Sequence, residues 1–100
     1  MEETSTSNIV KIKIKEPPMY RVIMLNDDVT TFNFVIFILE DIFLKSPKEA
    51  HTLCMQIHLK GSATVGIYTL DIAKSKIDAV EMRKRRTGFP LQLKIQAENV

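Results

Sequence analysis

Met24-Leu25-Asn26-Asp27-Asp28-Val29-Thr30-Thr31-Phe32 joins an apolar, strand-like run to the start of a helix. Three side chains with acceptor oxygens crowd this junction, where loop residues held by a rigid scaffold often carry function. Working back, Met19 to Leu25 is rich in β-favouring residues and reads as a first strand. Working forward, Thr30 or Thr31 can cap a helix that carries Phe32, Val35, Ile36, Leu39, Ile42 and Phe43 at helical spacing. Phe34, Phe37 and Ile38 fall outside that stripe, so the helix is apolar almost all round: either it is deeply packed or Phe37 adds to an exposed sticky surface. Locally, the Asn-Asp-Asp run supports two readings. It is either turn and cap punctuation, or a set of acceptors able to hold a cation such as an ammonium group.

The next element announces itself. Ser46-Pro47-Lys48-Glu49 combines a capping serine, a first-turn proline and a capping-box glutamate. Ala50, Leu53, Cys54 and Ile57 form the inward stripe of this second helix, and Gly61 can end it. Ser62 to Tyr68 reads as a second strand. A third helix is expected from Leu70 to Thr87, stopped by Gly88 and Pro90. Leu91 to Gln96 alternates apolar and polar residues and makes a third strand with one wet face. The order is β-α-α-β-α-β, an α/β (α+β) fold with three helices packed on one side of a small sheet. Residues 1–16 are expected to form a flexible extension, with 17–100 as the single folded domain. Within the extension Ile9 to Lys15 alternates apolar and basic residues, but Glu16-Pro17-Pro18 cuts it from the fold.

Bulk properties narrow the function. One hundred residues make one modest core, and a net charge of +2 does not mark a nucleic-acid or membrane binder. A single cysteine excludes an internal disulfide framework and fits a reducing compartment. Met1-Glu2-Glu3 is acidic and no apolar leader follows, so a cytoplasmic location is expected.

Several constellations could carry chemistry. His58 borders the apolar face of the second helix one turn after Cys54. By itself it reads as a partly buried, hydrogen-bonded histidine. Beside Asn26 and Asp28 it would supply a third acceptor, matching the three donors of an ammonium. Cys54 and His58 at i, i+4 could instead be a nucleophile and its base, yet no oxyanion-hole element accompanies them. His51 and His58 lie two turns apart, but with Asp27 or Asp28 they match no recognised metal-ligand spacing. Arg83-Lys84-Arg85-Arg86 could meet phosphates, and it also suits the dipole of a helix C-terminus. No cofactor motif is present.

The run Pro17-Pro18-Met19-Tyr20-Arg21-Val22-Ile23-Met24-Leu25-Asn26-Asp27-Asp28 resembles the ClpS family. So do Thr30, Phe34-Val35, Ile57-His58, Gly61, Gly66-Ile67-Tyr68-Thr69 and Phe89-Pro90-Leu91. The likeness runs without gaps from about residue 17 to 97. ClpS proteins are adaptors, not enzymes; they recognise N-degrons and deliver them to a Clp-type AAA+ unfoldase and its peptidase. The resemblance implies an antiparallel three-stranded sheet backed by three helices. It implies that Asn26, Asp27, Asp28 and His58 serve the substrate α-amino group, with Asp27 in a supporting role. A pocket of Thr30, Phe32, Val35, Cys54, Ile57 and Leu91 would then take Leu, Phe, Tyr or Trp.

Phe32 and Cys54 stand where the family often carries methionine. Phenylalanine is stiffer and cysteine smaller, so a tighter gate over a deeper floor is expected to favour flat aromatics over Leu. Asp71 and Lys76 match charged residues that the family uses to face the unfoldase, a ClpA- or ClpC-like partner. Lys74 replaces an acidic residue between them. The extension over 1–16 corresponds to the segment that engages the unfoldase during handover. The convergence of Asn26 with His58 follows from the resemblance, not from periodicity. Two other readings make distinct expectations. A docking module with a lost pocket would have Phe32 filling it, and a nucleic-acid binder would depend steeply on salt.

Overall fold

The computed structural model describes residues 17–98. The expectations of a flexible extension over 1–16, and of alternating Ile and Lys within it, lie outside the described residues. Six elements follow in the expected order: β1 (Tyr20–Leu25), α1 (Phe32–Asp41), α2 (Pro47–Lys60), β2 (Ser62–Tyr68), α3 (Leu70–Lys84) and β3 (Gln92–Ala97). The sheet is antiparallel with order β2-β1-β3. Strand β1 is therefore central, which is why its middle, Val22-Ile23-Met24, is wholly buried. The pairing sets Met24 opposite Ala63 and Leu93, and Val22 opposite Gly66 and Ile95. These alternate residues make one apolar face for the helices, while Gln92, Lys94 and Gln96 of β3 take the other.

A register shift between Val22 and Ile23 leaves Val65 as the extra residue on β2. The Tyr68 ring lies over Gly66 beside it, and a Cβ there, 2.2 Å from the Tyr68 hydroxyl, would displace that ring. The core joins Val22, Met24, Val65 and Leu91 of the sheet layer to Ile38, Leu39, Cys54, Ile57 and Val80 of the helices.

Local signals set the helix ends. Thr31 accepts from the Phe34 amide at 3.1 Å and so caps α1. Ser46 and Glu49 exchange bonds of 3.1 Å in a complete capping box with Pro47 in the first turn of α2. Two expectations require correction. Ile38 is fully buried, whereas Phe32 of the expected inward stripe is 44% exposed. Phe32 opens the helix, before the neighbouring turns can cover it, and α2 and the sheet together cover more of α1 than one stripe. Helix α3 stops at Lys84 rather than Thr87, because the Lys84 carbonyl accepts from both the Thr87 and Gly88 amides at 2.9 Å. Gly88 then takes the left-handed region at φ 75°.

Candidate functional site

The Asn26–Thr31 loop is organised by Asp27. Its Oδ1 accepts from the Val29 amide at 2.8 Å and the Thr30 amide at 2.6 Å, and its Oδ2 from the Thr30 hydroxyl at 2.7 Å. Burial alone pushes this carboxyl up. The bonds from Thr30 and Val29, together with the charge of Lys84, outweigh it and hold the group below the ordinary 3.8. Both oxygens of Asp27 thus face the loop, and the residue acts as the loop's clasp.

A second bond ties the loop to α2. Gly61 ends that helix in the left-handed region at φ 92°, and its carbonyl accepts from the Asn26 amide at 2.9 Å. The last turn of α2, which carries His58, is in this way fastened beside Asn26. The two residues are far apart in sequence, and this bond, continuing the β1–β2 pairing of Leu25 with Ser62, helps bring them together.

Between them lies a small cavity of about 10 Å³, lined by Leu25, Asn26, Asp27, Thr30, Phe32, Val35, Cys54, Ile57, His58 and Leu91. Its floor is apolar: Val35, Cys54, Ile57 and Leu91 are buried. Its rim is polar, and the Asn26 and His58 side chains make no hydrogen bond to other described residues, so their acceptors are free. Phe32 closes the mouth, its ring meeting that of His58 edge-on with centroids 5.0 Å apart. Cavities of this size hold about one water, so no large side chain enters until Phe32 moves. A wider hollow of about 280 Å³, bordered by Leu25, Asn26, Asp27, Pro90 and Gln92, continues from the same rim.

All six expected pocket residues line the cavity, as do Asn26, Asp27 and His58. Asp28 is exposed and does not border it. His58 is exposed rather than partly buried. Leu25, Pro90 and Gln92 were not named as site residues from the sequence, although Leu25 at the strand end and Pro90 beside Leu91 both lie in the runs that carry the family resemblance. Asp71 and Lys76 lie on α3, away from the cavity. Asp71 is exposed in the first turn, a favourable place for an acidic residue. The Lys76 ammonium donates to the Ile42 carbonyl at 2.7 Å and sits 5.6 Å from the Tyr68 ring centroid.

The chemistry is that of binding. Burial pushes the Cys54 thiol above its ordinary 9.0, which disfavours the thiolate that a nucleophile needs. Among the described residues, no three of His, Cys, Asp and Glu cluster so as to hold a metal. None of the described helices is long and apolar enough to cross a membrane. A polar rim over an apolar floor, on a rigid sheet-and-helix frame, defines a small binding domain.

Comparison with known proteins makes this specific. A family model described as ATP-dependent Clp protease adaptor protein ClpS matches residues 15–94. The chain belongs to the ClpS family: it is an adaptor of Clp proteases and not an enzyme. It is 45% identical over 93 residues to the ClpS adapter of Campylobacter jejuni strain RM1221, covering 93% of this chain and 97% of that one. It is 41% identical over 97 residues to the adapter of Acetivibrio thermocellus, covering 97% and 98%. Among solved structures, Agrobacterium tumefaciens ClpS2 bound to L-phenylalaninamide matches with a TM-score of 0.78 and 34% identity. That match covers 83% of this chain and all of the other, 100%.

Proposed function

We propose that the cavity at the β1–α1 junction receives the first residue of N-degron substrates, which the chain hands to a Clp AAA+ unfoldase for degradation in the cytoplasm. The observation that carries this reading is the meeting of Asn26 and His58 over an apolar floor. L-phenylalaninamide, the ligand of the ClpS2 structure, has a free α-amino group and a benzyl side chain, with an amide where a peptide would continue. It is an N-terminal phenylalanine in miniature. In this chain Asn26 and His58 accept from the ammonium, Asp28 adds negative charge from the exposed side of the loop, and Asp27 keeps the loop in shape. The side chain goes among Thr30, Phe32, Val35, Cys54, Ile57 and Leu91.

Two terms set the selectivity. Burying a large apolar side chain contributes roughly 1.5–3 kcal/mol. Blocking the amine leaves desolvated acceptors without partners at a cost of about 1–3 kcal/mol. Entry requires the Phe32 ring to leave His58, and this stiff gate favours flat aromatics over Leu. Titrations in which Leu outbinds both Phe and Trp would contradict that ranking. Docking to the unfoldase, of ClpA or ClpC type, uses the face of α3 that presents Asp71, with Lys76 bracing it against the end of α1. The segment 1–16 engages the unfoldase during handover.

The test is fluorescence anisotropy with labelled peptides beginning Phe, Leu or Trp, each against its N-acetylated twin. Binding that disappears on acetylation supports the reading. A second reading rests on the closure by Phe32, which leaves about 10 Å³. A chain whose gate never opens is a docking module alone, and it would bind no free N-terminus.

A further inference from the structure

The other end of α1 has a different character. Phe37 is 46% exposed there, facing Met82 of α3, itself 61% exposed. Together with Asp41, Arg83, Arg85 and Arg86 they border an open groove of about 580 Å³. The Arg83 guanidinium pairs with Asp41 and lies 6.0 Å from the Phe37 ring centroid, which holds it across the groove wall. Arg85 and Arg86 are exposed and form no ion pair within the described residues.

Cations in the last turn of a helix complement its dipole, and that accounts for arginines near the end of α3. It does not account for two large apolar side chains uncovered beside them. Phe37 stands on the helix α1 that also supplies core residues, so its exposure is a cost that a bound partner would remove. Three guanidiniums around an apolar pair match a segment in which carboxylates flank an apolar side chain, since guanidiniums pair bidentately with carboxylates. Asp41 opposes a continuous polyanion. The Arg83 guanidinium, 6.0 Å from the Phe37 ring centroid, stands where a nucleic-acid base would have to stack.

We propose that the groove between α1 and the C-terminal end of α3 docks an acidic, apolar-centred segment of a partner protein, independently of the cavity at the other end of α1. The probe is a labelled, N-acetylated Glu-rich peptide with a central Leu-Phe pair, which has no free amine. It should bind saturably at low salt. Binding should fall about tenfold or more in the double variant Arg85→Glu, Arg86→Glu, in which carboxylates face carboxylates. Phe37→Ser, which leaves every charge in place, should weaken it severalfold, as should replacing the Leu-Phe pair by Gly-Gly. These side chains are exposed, so the variants should melt like the parent. Should the charge reversal not fold, Met82→Ser supplies the second arm. Absence of saturable binding would overturn the proposal. So would tighter binding of a single-stranded oligonucleotide that is indifferent to Phe37→Ser.

Discussion

The two ends of α1 present opposite surfaces. At its N-terminal end Phe32, Asn26 and His58 enclose about 10 Å³ behind a rim of free acceptors. Along its C-terminal half Phe37 and three arginines border about 580 Å³ of open groove rich in donors. On the readings proposed above, the enclosed acceptor site selects a single residue with a cationic end and demands that the amine be unblocked. The open donor site then selects an extended anionic segment and demands far less. Aromatic residues appear at both, with different work: Phe32 is a door against His58, and Phe37 is a platform under Arg83.

The sharpest way to break the contrast is Asn26→Ala. Losing one hydrogen bond to a charged group costs about 1.5–3 kcal/mol, so affinity for a Phe-initiated peptide should drop roughly tenfold to a hundredfold. The acidic peptide should bind this variant as it binds the parent. Equal losses for both ligands would mean that the two ends are not independent.

His58→Ala should separate the sites next. It removes one acceptor for the ammonium, so N-terminal-residue binding should weaken roughly tenfold while the acidic peptide binds as before. Anisotropy at fixed salt reads this directly, and unchanged affinity would remove His58 from the acceptor set. Asp27 gives an acid dependence. Its carboxyl lies below 3.8 in the folded chain, so its contribution to stability is full above that value and is lost as pH falls through the lower folded one. Urea melts at pH ~5 and ~3 should converge in Asp27→Asn relative to the parent, apart from the losses common to both.

Smaller effects sharpen the account of the gate and the frame. Phe32→Met replaces a stiff ring by a flexible thioether, and it should shift preference toward Leu by a few-fold, roughly 1 kcal/mol or less. Ser46→Ala removes half of the capping box and should cost about 1 kcal/mol of unfolding free energy, with no change in either binding constant.

The parts of the molecule that were legible in the sequence are those governed by local chemistry. Ser46-Pro47-Glu49 starts α2 where its capping box requires, and Gly61 ends it for the reason that glycine suits a left-handed cap. The alternation in Gln92 to Gln96 gives the wet face of β3 directly. Matters decided by tertiary contacts were less visible. Ile38 lay off the apparent stripe of α1, yet is fully buried because both α2 and the sheet cover that helix. The resemblance gave Asp27 a supporting role, but only the folded loop reveals its form, with both oxygens turned inward to Val29 and Thr30. The pocket residues were legible through family resemblance. Their physical convergence follows from the shared core and from the tie between Asn26 and Gly61, which no periodicity reports.

The most direct test of the central claim is a nuclear magnetic resonance titration of the labelled protein with L-phenylalaninamide. The expected result is saturable shifts at Asn26, Phe32 and His58 with Arg85 and Arg86 unmoved, and loss of those shifts when the amine is acetylated. Shifts that persist with the acetylated compound, or that centre on the arginine groove, would contradict it.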